Sequence, residues 1–375
     1  MPDPKSCARL ETTISSNAAD RSAALLRYAV AARGPVLPDA ETWPEWLWLA
    51  ELERIVPLLF HLVDSIPTDL TDEQRRQLRE AQGSVLSRSV RLEHHLIGVS
   101  GLLGAHGIPS LVLKGAATAH LDYPDPSWRE FHDIDLLIHA ADRDESIALL
   151  ATAGWVQGYA LPGGHEDFTH AVTLVRERAE LDLHQRTAHR ALGLRVPTQD
   201  LFDHATSYEI AGSPLGVLDP VDRLIHGAVH AVASRAPYRH LSSVADVLSL
   251  ADLRRHLAAD ALVRAERWRV RPIVERAVRD AYAMAQLDLP EEWVRAMELR
   301  IRHRDRLVDL AYLSPVRRPV TEELAYLRLL DGWGARWRYA RGHFSIGADY
   351  ASQHGRSGAR AQAKYLISKL RSRSS

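Results

Sequence analysis

Apolar positions in the first hundred residues recur at helical spacing. Leu25, Leu26, Tyr28 and Ala29 place a helix over 22–33, ended by Gly34-Pro35. Trp43, Trp46 and Trp48 mark a second, with Pro44 near its start, and the apolar run 55–63 gives a third. Thr71 and Asp72 suit the cap of a fourth, with Glu73 in its first turn. Leu92, Leu96, Val99 and Leu103 then form an apolar stripe at i, i+4, i+7 and i+11 that carries this helix to about Gly104. The reading is an all-helical lobe over 21–105, preceded by a loose polar tail over 1–20.

The period shifts at His106-Gly107-Ile108-Pro109. Residues 110–113 read as a short strand before Lys114-Gly115, and 116–121 as a helix. Prolines at 124 and 126 oppose both helix and sheet, so 123–126 is a loop. Next comes Asp133-Ile134-Asp135-Leu136-Leu137-Ile138, an apolar run holding two carboxylates. In a strand, i and i+2 share a face, so Asp133 and Asp135 project together while Ile134 and Leu136 enter the core. A helix over 140–153 follows, started by Asp142 and Asp144 and closed by Gly154. Segments 168–175 and 179–183 read as strands joined by the charged turn Arg176-Glu177-Arg178. Alternation there sets Glu180, Asp182 and His184 on one face and Leu181 and Leu183 on the other. A small α/β unit thus spans 106–210. From Asp219, a natural N-cap before Pro220, helices are expected at 220–234, 241–257, 259–286 and 291–312. They form a second helical lobe over 211–345. A basic tail over 346–375 carries Arg356, Arg360, Lys364, Lys369, Arg371 and Arg373.

Composition narrows the classes. The 375 residues hold 47 Lys plus Arg against 48 Asp plus Glu, a balance that argues against a chain built to coat nucleic acid. Cys7 is the one cysteine, so neither an intramolecular disulfide nor a cysteine metal cluster forms. No run approaches the ~20 apolar residues of a membrane span, and residues 1–20 lack the apolar segment of a secretory signal. The expectation is a cytoplasmic protein with no membrane partner. Dinucleotide, P-loop, serine-hydrolase and zinc-protease motifs are absent.

The candidate chemistry is acidic. Like charges held side by side repel unless a cation lies between them, and oxygen ligands favour Mg²⁺ or Mn²⁺. With the strands of Asp135 and Asp182 adjacent, Asp133, Asp135 and Asp182 form a three-carboxylate cluster able to hold two divalent ions ~3.5–4 Å apart. The bland alternative pairs the aspartates with Arg129 or His132. Repulsion within the cluster predicts that Asp133→Asn or Asp135→Asn leaves stability unchanged or higher. Gly115 lets backbone approach a phosphate, with Lys114 beside it. Arg129 suits either a phosphate clamp or an ion pair. His226 and His230 lie opposite the stripe Leu224, Ile225, Ala228, Val229 and Val232. That places them toward solvent or an interlobe cleft, in contact with a nucleotide or hydrogen-bonded to Asp246. Their spacing suits a transition metal, but no third ligand accompanies them.

Leu113-Lys114-Gly115, Tyr123-Pro124 with Arg129, Asp133-Ile134-Asp135-Leu136-Leu137 and Leu181-Asp182-Leu183-His184 together resemble the uncharacterised bacterial nucleotidyltransferase family of the polymerase-beta-like superfamily. His226-Gly227-Ala228-Val229-His230 and Asp246 resemble that family's helical lobe, and the likeness runs from about residue 25 to 310. It implies an α+β protein: a small polymerase-beta-like core with a mixed sheet, flanked by N- and C-terminal helical lobes. Asp133, Asp135 and Asp182 would be the metal-binding acids and Gly115 part of the phosphate-binding turn, with Lys114, Arg129, His184, His226 and His230 on the nucleotide side. The implied activity is transfer of a nucleoside monophosphate from an NTP to a hydroxyl-bearing acceptor, with release of pyrophosphate. The acceptor stays open among small molecules, peptides and RNA. Two other readings stand beside it: kinase-like phosphoryl transfer, and a non-catalytic nucleotide-binding or antitoxin-like partner protein. The sequence departs from the wider superfamily in having Lys114-Gly115-Ala116 where Gly-Ser or Gly-Gly is usual, and Gln185 where an aromatic is common.

Overall fold

In the computed structural model the described residues are 43–65, 70–158, 168–233, 240–299, 305–314 and 319–344. The expected helix over 22–33, the tail over 1–20 with Cys7, and the basic tail over 346–375 lie outside them.

Three helices open the described chain: α1 (Trp43–Leu52), α2 (Val56–Ser65) and α3 (Asp72–Ala105). Helix α3 starts with a reciprocal cap. Thr71 Oγ1 accepts from Gln74 N at 3.3 Å, and Gln74 Oε1 accepts from Thr71 N at 2.8 Å. Its 34 residues span roughly 50 Å at 1.5 Å per residue, so its two halves enter different cores. Leu78 and Val85 join a helical core, whereas Leu92, Leu96, Val99 and Leu103 pack on the sheet.

Then come β1 (Leu111–Val112), α4 (Ala116–Asp122), β2 (Ile134–Leu137), α5 (Arg143–Thr152), β3 (Val156–Gln157), β4 (Ala171–Arg176), β5 (Ala179–His184), α6 (Arg190–Arg195), α7 (Thr198–Asp203), β6 (Thr206–Ile210) and β7 (Ser213–Val217). The strands make one mixed seven-stranded sheet in the order β3-β4-β5-β2-β1-β7-β6. Strands β2 and β5 are parallel, β1 and β7 are parallel, and the remaining pairs are antiparallel. Because β7 pairs with β1 at Val112↔Val217, the sheet runs past residue 210. Ile134, Leu136, Leu181 and Leu183 face the core under α3, and Leu137 belongs to the helical core on the other side. That alternation presents Asp135 and Asp182 opposite the α3 side.

The rest is helical: α8 (Pro220–Ala233), α9 (Leu241–Leu253), α10 (Ala258–Arg267), α11 (Arg271–Met284), α12 (Glu291–Glu298), α13 (Arg306–Leu313), α14 (Pro319–Leu329) and α15 (Gly332–Phe344). Asp219 Oδ1 accepts from Asp222 N at 2.6 Å and so caps α8. The single helix expected over 259–286 is two. Arg269 has φ 58°, Val270 N closes back on Ala265 O at 2.8 Å, and Pro272 restarts the chain in the first turn of α11. The helix expected over 291–312 is likewise two, α12 and α13. Among the described residues no helix is long and apolar enough to cross a membrane.

Buried polar contacts dock the C-terminal helices on the sheet unit. At the end of α4, the buried Asp122 receives Arg223 Nε at 2.8 Å and a second guanidinium nitrogen at 3.0 Å. The 123–130 loop is held from both sides. His61 of α2 bonds Ser127 Oγ at 2.8 Å and stacks on Trp128, while Tyr123 and Arg129 bond Asp246 of α9. Breaking a buried pair leaves an uncompensated charge. Asp122→Ala is therefore expected to destabilise the fold by about 3–5 kcal/mol in urea unfolding, and a loss under 1 kcal/mol would show that Asp122 and Arg223 do not carry this joint.

Candidate functional site: an acidic centre with a lysine

The centre is built by register. Strand β2 pairs in parallel with β5 so that Asp135 stands opposite Asp182 and Leu136 opposite Leu183. The hairpin from β4 to β5 then sets Thr173 opposite Asp182, and Thr173 Oγ1 donates to Asp182 Oδ1 at 2.6 Å. His184, one side-chain alternation further along β5, donates from Nε2 to Asp135 Oδ1 at 2.8 Å, and its Nδ1 faces the Arg186 carbonyl at 3.2 Å. Among the described residues, Asp135, Asp182 and His184 are the group whose ligand atoms all come within 4.8 Å of one another. Asp133 immediately precedes β2 and stands outside that group, although its charge acts on Asp135 and Asp182.

Lys114 supplies the positive charge. It follows β1, whose antiparallel pairing with β2 aligns Val112 with Leu136, and Leu113 N donates to Asp135 O at 3.1 Å. Lys114 Nζ lies 3.2 Å from Asp135 Oδ2 and donates to His230 Nε2 of α8 at 3.4 Å. The aspartates therefore pair with neither Arg129 nor His132.

The two carboxylates respond oppositely to their surroundings. Burial alone would raise Asp135, but Lys114 and the His184 hydrogen bond outweigh it and hold the carboxyl well below the usual range. Asp133 is raised, first by the charge of Asp135 and then by burial, with Lys114 opposing. Lys114 itself is raised: burial opposes its charge, and Asp135 and Asp133 restore it. Repulsion thus resides on Asp133. Asp135 is ion-paired, so relief of the fold on neutralisation is to be expected at Asp133 and not at Asp135.

The other anticipated residues divide. Gly115 has φ 64°, a backbone state that favours glycine, and starts α4 beside the Asp133 carbonyl. Arg129, expected as a phosphate clamp or an ion pair, is the latter. Its Nε and a terminal nitrogen donate to the two oxygens of Asp246 at 3.1 and 2.7 Å, and the third nitrogen donates to Glu130 O at 2.9 Å. Asp246 also accepts from Tyr123 Oη at 3.0 Å. His226 and His230 do face the interlobe cleft, with Lys114, Thr118, Ser243 and Asp246 around them. His226 is buried at 6% exposure, because the sheet unit and α9 close over the polar side of α8.

Two neighbours escaped the sequence reading. Thr173 was legible in the turn: fixing Arg176 against Ala179 across the hairpin counts back to Thr173 opposite Asp182. His170 gave no such signal. Its ring lies 5.3 Å from His184 and 3.5 Å from His189, and burial with those neighbours pushes it down to about 2.

The donor set fits a divalent cation chemically. Two carboxylates from adjacent strands converge with an imidazole, and the cluster sits beside a glycine turn and a lysine. No curated protein matches the sequence. Two solved structures overlap part of the chain. An antigenic nucleotidyltransferase-like protein from Paracoccidioides brasiliensis is 18% identical, covering 50% of this chain and 92% of its own, with TM-score 0.32. The antibiotic-resistance factor ANT(2'')-Ia is 12% identical, covering 53% and 96%, with TM-score 0.32. The family described as uncharacterised nucleotidyltransferase matches residues 39–286, which include every strand among the described residues and helices α1 to α11. On that match, spanning well over half of the sequence, the chain belongs to this nucleotidyltransferase family.

Proposed function

We propose that this protein moves a nucleoside monophosphate from an NTP to a hydroxyl-bearing acceptor, dependent on Mg²⁺ or Mn²⁺, with release of pyrophosphate. One observation carries the reading: the parallel register that puts Asp135 against Asp182, with Lys114 on the far oxygen of Asp135. Asp135 and Asp182 would hold the cation, with Asp133 beside them. When bound, the cation would polarise a phosphate oxygen and offset charge on the pyrophosphate leaving group.

The chain's own groups do the rest. Lys114 is held cationic between Asp135 and His230 and is aimed to attract phosphate without leaving its partners. Gly115, at φ 64°, makes the turn that starts α4 next to Lys114. His184 fixes the rotamer of Asp135, and Thr173 takes one oxygen of Asp182 so that the other points to ligand or to an acceptor proton. Arg129 and Tyr123 act at a distance by tying the 123–130 loop to Asp246. The acceptor is a small molecule, a peptide or an RNA.

Incubation with labelled ATP, CTP, GTP and UTP and a panel of acceptors is expected to give a nucleotidylated product and pyrophosphate. Nucleoside diphosphate as co-product would replace this reading with phosphoryl transfer. Calorimetry without Mg²⁺-dependent NTP binding would favour a non-catalytic partner protein. Asp135→Asn and Asp182→Asn are each expected to lower kcat more than about a hundredfold; either variant at full activity removes it from the site.

Stability should separate the two aspartates of β2. Asp133→Asn is expected to leave the melting free energy unchanged or up to about 1 kcal/mol higher, and Asp135→Asn to lower it by about 1–3 kcal/mol. Asp135 is depressed in the folded chain, so its contribution is present above the unfolded carboxylate pKa. The deficit of Asp135→Asn should therefore narrow as the pH falls below about 4. Thermal melts across pH check both signs, and a deficit that grows in acid would reverse the assignment.

A further inference from the structure

The cleft between the sheet unit and α8–α9 contains a group for which the protein supplies no partner. His226 is 6% exposed, and neither Nδ1 nor Nε2 has a hydrogen-bond partner. A buried imidazole that bonds nothing is disfavoured, because both nitrogens have lost water and gained no replacement. The ring borders the same pocket as Lys114, Thr118, His230, Ser243 and Asp246. The charged groups there are engaged. Arg223 is held by Asp122 and the Leu218 carbonyl, Asp246 by Arg129 and Tyr123, and Lys114 by Asp135 and His230. The hydrogen bonds of His226 are left for a visitor.

The surroundings define that visitor. Burial and Lys114 keep the imidazole neutral, pushed down to about 3. It therefore offers one N–H to donate and one nitrogen to accept. An anionic group would be drawn to Lys114 rather than to a neutral ring, and a cationic group would be repelled by Lys114. A hydroxyl is uncharged, small, and both donates and accepts. Position selects which hydroxyl. Lys114 borders this pocket and also touches Asp135, so the pocket adjoins the place where the triphosphate would lie. In an NTP the group joined to the α-phosphate is the ribose.

We infer that His226 is a specificity-determining residue that binds a ribose hydroxyl of the nucleotide, so that the enzyme distinguishes ribonucleotides from deoxyribonucleotides. The inference rests on the reading of the site as an NTP site.

The test is binding of ATP, 2′-deoxy-ATP and 3′-deoxy-ATP in Mg²⁺ by calorimetry, without acceptor, to the wild-type chain and to His226→Ala and His226→Gln. The wild type is expected to bind ATP about tenfold or more tightly than at least one deoxy analogue, since the analogue leaves a buried polar atom unpaired. His226→Ala should bring that ratio close to one, mainly by weakening ATP. His226→Gln, which restores an amide near Nε2, should recover part of it and serves if the alanine variant folds poorly. Equal binding of all three nucleotides by the wild type overturns the inference and leaves the transferase reading intact; a buried water would then be the partner of His226. Discrimination that persists in both variants overturns it also. Binding of none of the nucleotides overturns the NTP reading and this inference with it.

Discussion

A carboxylate that is 2% exposed must be given a cation, and the architecture around Asp135 is arranged to provide one. The cation is Lys114, delivered from the neighbouring antiparallel strand, and His184 bonds the remaining oxygen from the parallel strand on the other side. Each of the three groups is carried by a different strand of one sheet or lies within two residues of it. Their relative positions are therefore fixed by backbone hydrogen bonds rather than by long loops, and a slip of one residue in either ladder would turn the site into the core. Asp133 lies at the edge of this arrangement. It carries the repulsion that Lys114 relieves at Asp135.

Helices hold this sheet from two sides. The apolar residues of β2 and β5 that face α3 make a floor, while the acids face the helical lobe formed by α8, α9 and their neighbours. The cleft owes its polarity to that second packing. Helix α8 brings Arg223, His226 and His230 against the sheet unit, and the three do different things there. Arg223 joins Asp122, His230 receives Lys114, and His226 stays open. The loop carrying Tyr123 and Arg129 is fastened to α9 through Asp246, so the far wall of the cleft is set by an ion pair rather than by apolar contact alone.

Much of the site could be read from residue order because it depends on short periods. Alternation alone placed Asp135, Asp182 and His184, and the apolar stripe of α3 emerged as four leucine and valine positions that are all buried. What alternation cannot supply is the partner across a ladder. Lys114 read as a neighbour of a phosphate turn, and its salt link to Asp135 appeared only when β1 was seen to run antiparallel beside β2. Arg129 looked equally suited to phosphate and to carboxylate, and the choice was made by Asp246, 117 residues away along the chain. The helical wheel of α8 sorted apolar from polar correctly, yet the sheet unit and α9 close over the polar side as well, which a single-helix pattern cannot register. The break at Arg269 lies in one backbone angle, and the sequence signal for it was Pro272, which suits the first turn of a helix and not its interior.

Helix α3 serves two hydrophobic cores with a single run of backbone hydrogen bonds. Its N-terminal half has no apolar floor without the helical lobe, and its C-terminal half has none without the sheet. Loosening either core removes side-chain support from a rod that the other core also needs, so damage in one propagates along the rod. The two cores are in this sense a single cooperative unit, and melting should strip the acidic centre and the nucleotide cleft together rather than one before the other.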